Sequence, residues 1–315
     1  MTIVQLSYVV AVNDSKSFAK AAQKCFVTQP TLSMQIQKLE DELGVIIFDR
    51  TKKPVAPTEI GEKLIEQARV IIREKERIYD IISQETEEIS GKFKLGIIPT
   101  IAPYLLPRFV EGFTKNYKAV ELIIDELQTD QIVDKLKRDD LDAGIMATPL
   151  YVKEITERPI FYEPFVGYVS KSHKLYESKK INPDDLDIHD LFLLKEGHCF
   201  RDHVLQICKS YGDNRHPNIR TVNLEGATLE TLMKMVDKNI SMTLIPYLAM
   251  KEIEGTDKMK YVRKFDEPVP TREISIVYHR AQLKKQIIDL LVEQIKISIP
   301  RELLELKNEF VVTRN

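Results

Sequence analysis

The sequence predicts an α+β multidomain chain: a small helical N-terminal unit, one long helix, and a larger α/β module of two lobes. Three observations predict it. Up to residue 57, short apolar-periodic segments follow Ser and Thr residues placed as helix caps. From residue 58 to about residue 89 there is no proline and one glycine, Gly61, and an apolar stripe persists. Beyond Ser90-Gly91-Lys92, strand-like and helix-like runs alternate. At 315 residues, 43% hydrophobic and 30% charged, the chain has room for two or three domains with cores of their own. A formal net charge of −2 names no partner. Three cysteines are too few for a disulfide scaffold. The start, Met1-Thr2-Ile3-Val4-Gln5, has no basic leader pattern, and no apolar run reaches the roughly 18 residues that span a bilayer. A reducing cytoplasm and no membrane are therefore expected.

In the N-terminal unit, residues 3–13 read as an amphipathic helix with Leu6, Val9 and Val10 inward. Ser17 caps a second helix over residues 18–25, where Ala21, Ala22 and Cys25 share a face. Thr28 caps a third. Pro30 is tolerated in its first turn, and Leu32, Ile36 and Leu39 form its buried row. Its other face carries Gln29, Pro30, Thr31, Ser33 and Gln35. Two short helices with a tight join, the second presenting small polar side chains near its start, suit a helix-turn-helix that reads double-stranded DNA. After Gly44, residues 45–48 read as a strand leading to Asp49-Arg50-Thr51-Lys52-Lys53-Pro54. This is a wing whose Arg50, Thr51 and Lys52 can meet phosphates, or else a solvated turn. Residues 1–60 hold seven Lys/Arg and six Asp/Glu, so pattern rather than charge carries the reading.

The long helix carries Ile60, Leu64, Ala68, Ile71, Ile72, Ile78 and Ile82 along one stripe. Some thirty residues make a rod of roughly 45 Å. A stripe on such a rod needs a second copy to cover it. In the α/β module, strands are expected over 93–98, 120–126, 141–146, 165–170, 191–194, 219–222, 241–245 and 274–278, mostly parallel. Helices are expected over 104–116, over 129–137 with Thr129 as cap, and from 283. The chain crosses between lobes near Glu163-Pro164 and returns near residues 268–270. The resulting division is 1–57, 58–90, and 91–300, the last with one lobe of 91–162 plus 268–300 and another of 163–267. The tail, 301–315, carries a short helix over 302–309.

The densest chemistry is Glu196-Gly197-His198-Cys199-Phe200-Arg201-Asp202-His203, followed by Cys208. A thiol beside cationic donors and near a helix start favours the thiolate. Asp202 is expected to cap the helix, leaving Cys199 exposed before it and Cys208 on its apolar face. Thr100 and Thr129 follow strands whose carboxyl ends face the interlobe cleft, and the 191–194 run delivers Cys199 to the same place. Thr hydroxyls, the His198 imidazole and the Arg201 guanidinium can hold a peroxide against a thiolate. Other readings of these residues are inert core thiols, a zinc site from His198, Cys199, His203 and Cys208, or a cleft for an organic anion clamped by Arg201 or Arg272. Cys25 reads as a small core residue.

Ser17-Phe18-Ala19-Lys20-Ala21-Ala22, Val27-Thr28-Gln29-Pro30-Thr31-Leu32-Ser33, Gln35-Ile36-Gln37-Lys38-Leu39-Glu40-Asp41-Glu42-Leu43-Gly44 and Phe48-Asp49-Arg50 resemble the winged helix-turn-helix of LysR-type transcriptional regulators. The resemblance implies a linker helix that pairs chains, a dimer of dimers, and a two-lobed effector domain like periplasmic binding proteins. It implies an operator DNA and RNA polymerase as partners. The 196–208 stretch, with Ala227-Thr228-Leu229-Glu230-Thr231-Leu232 and Thr243-Leu244-Ile245-Pro246, resembles the hydrogen-peroxide-sensing members of that family. By that resemblance Cys199 is the peroxide-reactive cysteine and Cys208 its disulfide partner. Thr100, Thr129 and His198, with Arg201 and Asp202, surround the peroxide, antioxidant genes are controlled, and a thioredoxin- or glutaredoxin-like protein resets the switch. No cofactor, metal or enzymatic activity is expected; a thiol peroxidase would not need a DNA-binding end. Phe200 departs from the usual leucine, His203 from the usual glutamine, and Asp237-Lys238-Asn239-Ile240 lacks the usual glycine-containing turn.

Overall fold

A computed structural model describes residues 1–85, 89–208, 227–306 and 310–313. It divides into two compact units, Met1–Glu88 and Ile89–Asn315.

In the first unit, α1 (Ile3–Ser15) starts with a capping box in which Thr2 and Gln5 satisfy each other's backbone N–H. The Ser17 hydroxyl caps α2 (Phe18–Lys24) and the Thr28 hydroxyl caps α3 (Gln29–Leu43), with Pro30 in the first turn of α3 and Gly44 left-handed at its end. Leu6, Val9, Val12, Ala21, Ala22, Leu32, Ile36 and Leu39 form the core, with Val12 in place of the expected Val10, which is half-buried. The expected strand over 45–48 contracts to β1 (Phe48–Asp49), paired antiparallel with β2 (Ala56–Pro57). The cause is Glu40, whose carboxylate accepts the N–H groups of Ile47 and Phe48 at 2.8 and 3.2 Å and holds that backbone against α3. The long helix α4 (Glu59–Glu85) enters beside this segment at Gly61. A Cβ there would lie 2.1 Å from the Ile47 carbonyl oxygen, so only glycine permits the approach. Ile65 and Ala68 of α4 join the core, while Ile60, Ile78 and Ile81 are exposed.

The second unit is built on one mixed sheet of order β4-β3-β5-β10-β6-β9-β7, with β8 also paired to β6. Strands β3 (Gly91–Ile97), β4 (Val120–Glu126) and β5 (Ala143–Thr148) are parallel, linked by α5 (Ala102–Asn116) and α6 (Thr129–Lys137). The residue before α6 is Gln128, so Thr129 is its first buried residue rather than its cap. Strand β6 (Ile155–Val169) is continuous through the expected crossover at Glu163-Pro164. It pairs with β10 (Thr271–His279) along Ile155 to Pro164, and then with β8 (Met242–Pro246). The prolines that hide its first ten residues are accommodated: Pro159 lies opposite Ser275, next to the register shift between Ile274 and Ser275, and Pro164 lies opposite Thr271. Among the described strands, parallel pairing is confined to β3–β4, β3–β5 and the link between β7 (Lys180–Ile181) and β9 (Val262–Phe265), with two isolated parallel bridges besides; the expectation of a mostly parallel sheet fails at β6 and β10.

The expected strand over 191–194 is only a bridge between Leu191 and Met242, and the one over 219–222 lies outside the described residues. Three helices surround this part: α7 (Cys199–Ile207), α8 (Leu229–Asp237) capped by Thr228, and α9 (Tyr247–Glu252). The chain then closes through α10 (Lys285–Ser298) and α11 (Glu302–Glu305), shorter than the helix expected over 302–309, of which residues 307–309 lie outside the described ones. No helix among the described residues is long and apolar enough to cross a membrane.

Candidate functional site

Because β3 and β4 run parallel, their carboxyl ends open on one side of the sheet. Ile98, Pro99 and Thr100 follow β3, and Gln128 and Thr129 follow β4. Gly197, His198 and Cys199 approach them at the start of α7, and these eight residues line one narrow pocket. The approach depends on Gly197, which has φ +93° and whose added Cβ would meet Gln128 Oε1 at 2.6 Å.

Cys199 is the first residue of α7 and is 4% exposed, so the expected exposed thiol is in fact buried. The helix begins four residues earlier than expected. His198, not Asp202, is its N-cap residue, and Asp202 lies in the first turn. A negative charge on Cys199 Sγ would meet the partial positive end of α7. Burial, and then the charge of Lys195, hold the His198 imidazole below the usual histidine range. At neutral pH it is uncharged and can both donate and accept a hydrogen bond. The buried Thr129 Oγ1 has no hydrogen-bond partner among the described residues. A hydroxyl buried without a partner is ready for a small polar ligand.

Thr100 is held from the other side. Arg272 Nη1 donates to its Oγ1 at 2.8 Å, and Nη2 donates to its carbonyl oxygen at 3.1 Å. Arg272 is 1% exposed and pairs with the equally buried Glu163 at 2.8 Å, through Nη2, and at 3.0 Å, through Nε. The Glu163 carboxylate also accepts the Leu248 N–H, and the guanidinium lies 5.1 Å from the Phe200 ring centre. With its donors so engaged, Arg272 is a structural support of the pocket rather than an open clamp for an organic anion. Arg201 does not line the pocket; its Nη1 donates to the Leu194 carbonyl at 3.2 Å. Asp202 does not line it either. No local pattern marks Glu163 as a site residue, because its partners are remote in sequence.

Cys208 is the residue after α7, 1% exposed, with its N–H bonded to the Val204 carbonyl at 3.1 Å. The two cysteines are in the thiol form at opposite ends of the helix. Nine residue steps of ~1.5 Å separate them by about 13.5 Å along the axis. A disulfide needs Cα atoms within about 7 Å. The same separation keeps His198, Cys199 and Cys208 from sharing a zinc ion in this conformation. His203 is buried, edge-on to Phe165 with ring centres 6.0 Å apart.

In the first unit, Gln29, Pro30 and Thr31 are exposed at the start of α3. Ser33 accepts from Arg50 Nη1 at 3.2 Å, and Gln35 accepts from Gln5 at 3.3 Å, turning it toward α1. Arg50 also pairs with Glu40 at 3.0 Å and lies over the Phe18 ring, fastening the wing to α3. Thr51 donates twice to Asp49 and holds that carboxyl below its usual range, shaping the wing tip at which Lys52 is exposed. Met34, Gln37 and Lys38 are exposed on the same helix and were not singled out by pattern. Burial pushes the half-buried Cys25 thiol up, as suits a packing residue.

Residues 3–62 match the model of the bacterial regulatory helix-turn-helix proteins of the lysR family, and residues 86–298 match the LysR substrate binding domain. A "Hydrogen peroxide-inducible genes activator" of Haemophilus influenzae is 37% identical over 281 residues, covering 88% of this chain and 90% of that protein. A full-length OxyR of Pseudomonas aeruginosa superposes with a TM-score of 0.74 at 32% identity, covering 95% of this chain and 99% of that one. An H2O2-bound OxyR mutant of Corynebacterium glutamicum has a TM-score of 0.61 at 26% identity, covering 94% and 92%. From its DNA-reading end to its two-lobed α/β module, this chain belongs to the LysR family of transcriptional regulators, among proteins of the OxyR type.

Proposed function

We propose that this chain activates antioxidant genes when hydrogen peroxide oxidises Cys199 and Cys208 captures the product as a disulfide. The observation that carries the reading is the placement of Cys199. It sits at the N-terminal residue of α7, in a pocket with Thr100, Thr129 and His198, with a second thiol at the other end of the same helix.

The chemistry closes without a cofactor. The Cys199 thiolate attacks one peroxide oxygen, the O–O bond breaks, and the departing hydroxide takes a proton to leave as water. Sulfur is oxidised by two electrons and Cys199 becomes a sulfenic acid. Thr100, Thr129 and the neutral His198 supply the donors and acceptors that orient the peroxide. The Cys208 thiol then attacks the sulfenic sulfur, an S–S bond forms, and a second water leaves. Since α7 holds the sulfurs about 13.5 Å apart along its axis, the second step requires the helix to unwind. Closure thus converts a chemical event into a conformational one.

The rest of the chain reads the change out. Two copies pair along α4, covering exposed Ile60, Ile78 and Ile81, and pairs of effector units give a dimer of dimers. Each α3 pair presents Gln29, Pro30 and Thr31 to half-sites of an operator, with Thr51 and Lys52 at the backbone. Rearranged effector units shift these contacts and those with RNA polymerase. A thioredoxin- or glutaredoxin-like dithiol in the cytoplasm returns the disulfide to two thiols. Cys199→Ser tests the reading. It is expected to bind operator DNA with parental affinity and to give no transcriptional change on adding peroxide. A normal peroxide response from this variant would refute the assignment.

A further inference from the structure

We propose that the C-terminal segment Phe310-Val311-Val312 is a positioning element for the thiol pocket. It acts by fixing the end of β10 that carries Arg272. The proposal rests on the reading of Cys199 as the peroxide-reactive thiol.

β10 starts at Thr271, and β6 covers one side of it there. On its other side β5 reaches only to Thr148, opposite Glu273, and the next residue is Pro149, which has no N–H to give. The outward N–H and C=O of Thr271 lie beyond the end of β5. The C-terminal segment supplies both partners. The Thr271 N–H donates to the Phe310 carbonyl at 3.0 Å, and the Val312 N–H donates to the Thr271 carbonyl at 2.8 Å. The Thr271 hydroxyl donates to the same Phe310 carbonyl at 3.0 Å, and Val311 forms a parallel bridge with Thr271. Val312 is 3% exposed and belongs to the core of the unit.

The next residue is Arg272. Its guanidinium holds both the hydroxyl and the carbonyl of Thr100, and Thr100 lines the pocket with Cys199. A continuous path therefore leads to the pocket wall: hydrogen bonds from Phe310 and Val312 to Thr271, the peptide link to Arg272, and hydrogen bonds from Arg272 to Thr100. With the segment undocked, the outer edge of Thr271 becomes an open strand end, and Arg272 keeps its β6 and Glu163 contacts but loses the anchor on the residue before it. Thr100 then loses its set position against the peroxide.

The test uses the full chain in a Cys208→Ser background and measures the rate at which hydrogen peroxide converts Cys199 to trapped sulfenic acid. Alkylation of Cys199 by iodoacetamide is measured in parallel. The variants are a chain ended after Leu306 and, in case that chain does not fold, Val312→Ala. Amide exchange at Thr271, and at position 312 in the chain that retains it, verifies undocking. Displacement of a reacting group by about 1 Å costs up to roughly a hundredfold in rate, so a fall of about tenfold or more with peroxide is expected, with no fall in alkylation. Thr271→Ser, which keeps the hydroxyl, is expected to hold the parental rate. Peroxide rates within about twofold of the parent in an undocked variant would overturn the proposal, as would parallel falls with both reagents. A parent no faster with peroxide than an ordinary cysteine would instead remove the reading of Cys199 itself, and this inference with it.

Discussion

Oxidation should unfold α7, and the size of the effect follows from its geometry. The perturbation is one equivalent of hydrogen peroxide added to the reduced protein. Nine steps of ~1.5 Å separate Cys199 from Cys208 by about 13.5 Å, whereas a disulfide tolerates about 7 Å, so no rotamer change can close the gap. The backbone bonds of α7 must break, including that from the Cys208 N–H to Val204. Val204 and Ile207, 2% and 1% exposed, must leave the core with them. Burial of each such side chain contributes ~1.5–3 kcal/mol, so about 3–6 kcal/mol of local protection is lost. At ~1.4 kcal/mol per decade, amides of residues 203–208 should exchange at least about a hundredfold faster in the oxidised protein. Hydrogen exchange read by mass spectrometry on peptides covering α7, with β3 and β4 as internal references, measures this. Unchanged protection of α7 in a sample whose Cys199–Cys208 link is verified would refute the reasoning.

Replacing Gln29 and Thr31 together by alanine should weaken operator binding while leaving the peroxide oxidation rate unchanged; fluorescence anisotropy with a labelled operator gives the first and thiol mapping the second. Gly197→Ala should lower the melting temperature by an amount corresponding to ~1–3 kcal/mol and slow Cys199 oxidation, since it combines a left-handed backbone with a 2.6 Å approach to Gln128. His198 predicts a pH effect. Its folded-state pKa lies below the usual 6.5, so as pH falls through 6.5 the unfolded chain takes up a proton that the folded chain refuses. Stability from this residue is therefore full above pH 6.5 and declines below it. His173, depressed mainly by burial, acts in the same direction. His198→Gln should shrink the loss of melting temperature between pH 7.5 and pH 5.5, and a loss equal to the parent's would contradict the assignment.

Local signals were legible and long-range ones were not. Ser17 and Thr28 announced α2 and α3 because capping needs only neighbours in sequence. Strand β4 was read at its observed limits from an apolar run with clear ends. The first ten residues of β6 escape a sequence reading because Pro159 and Pro164 look like strand breakers until the register shift and the neighbouring β10 are known. The start of α7 was placed at the stronger capping residue, Asp202, whereas the structure begins it at Cys199 with no side-chain cap. That difference of four residues, from cap to cap, sets the two sulfurs further apart and buries the reactive one. The pocket's four named residues, Thr100, Thr129, His198 and Cys199, could be anticipated from strand ends and family likeness. Its supports could not: Glu163 and Arg272 meet only through the antiparallel pairing of β6 with β10, and the Phe310–Val312 segment carries no motif.

The central claim is the reversible link between Cys199 and Cys208. It is tested most directly by intact mass and thiol count of the reduced protein before and after about one equivalent of hydrogen peroxide, with peptide mapping. The account predicts a fall from three thiols to one, a loss of two hydrogens in mass, and a single cross-linked peptide pair joining Cys199 to Cys208, all reversed by a dithiol reductant. Three thiols remaining after peroxide, or a link that includes Cys25, would contradict it.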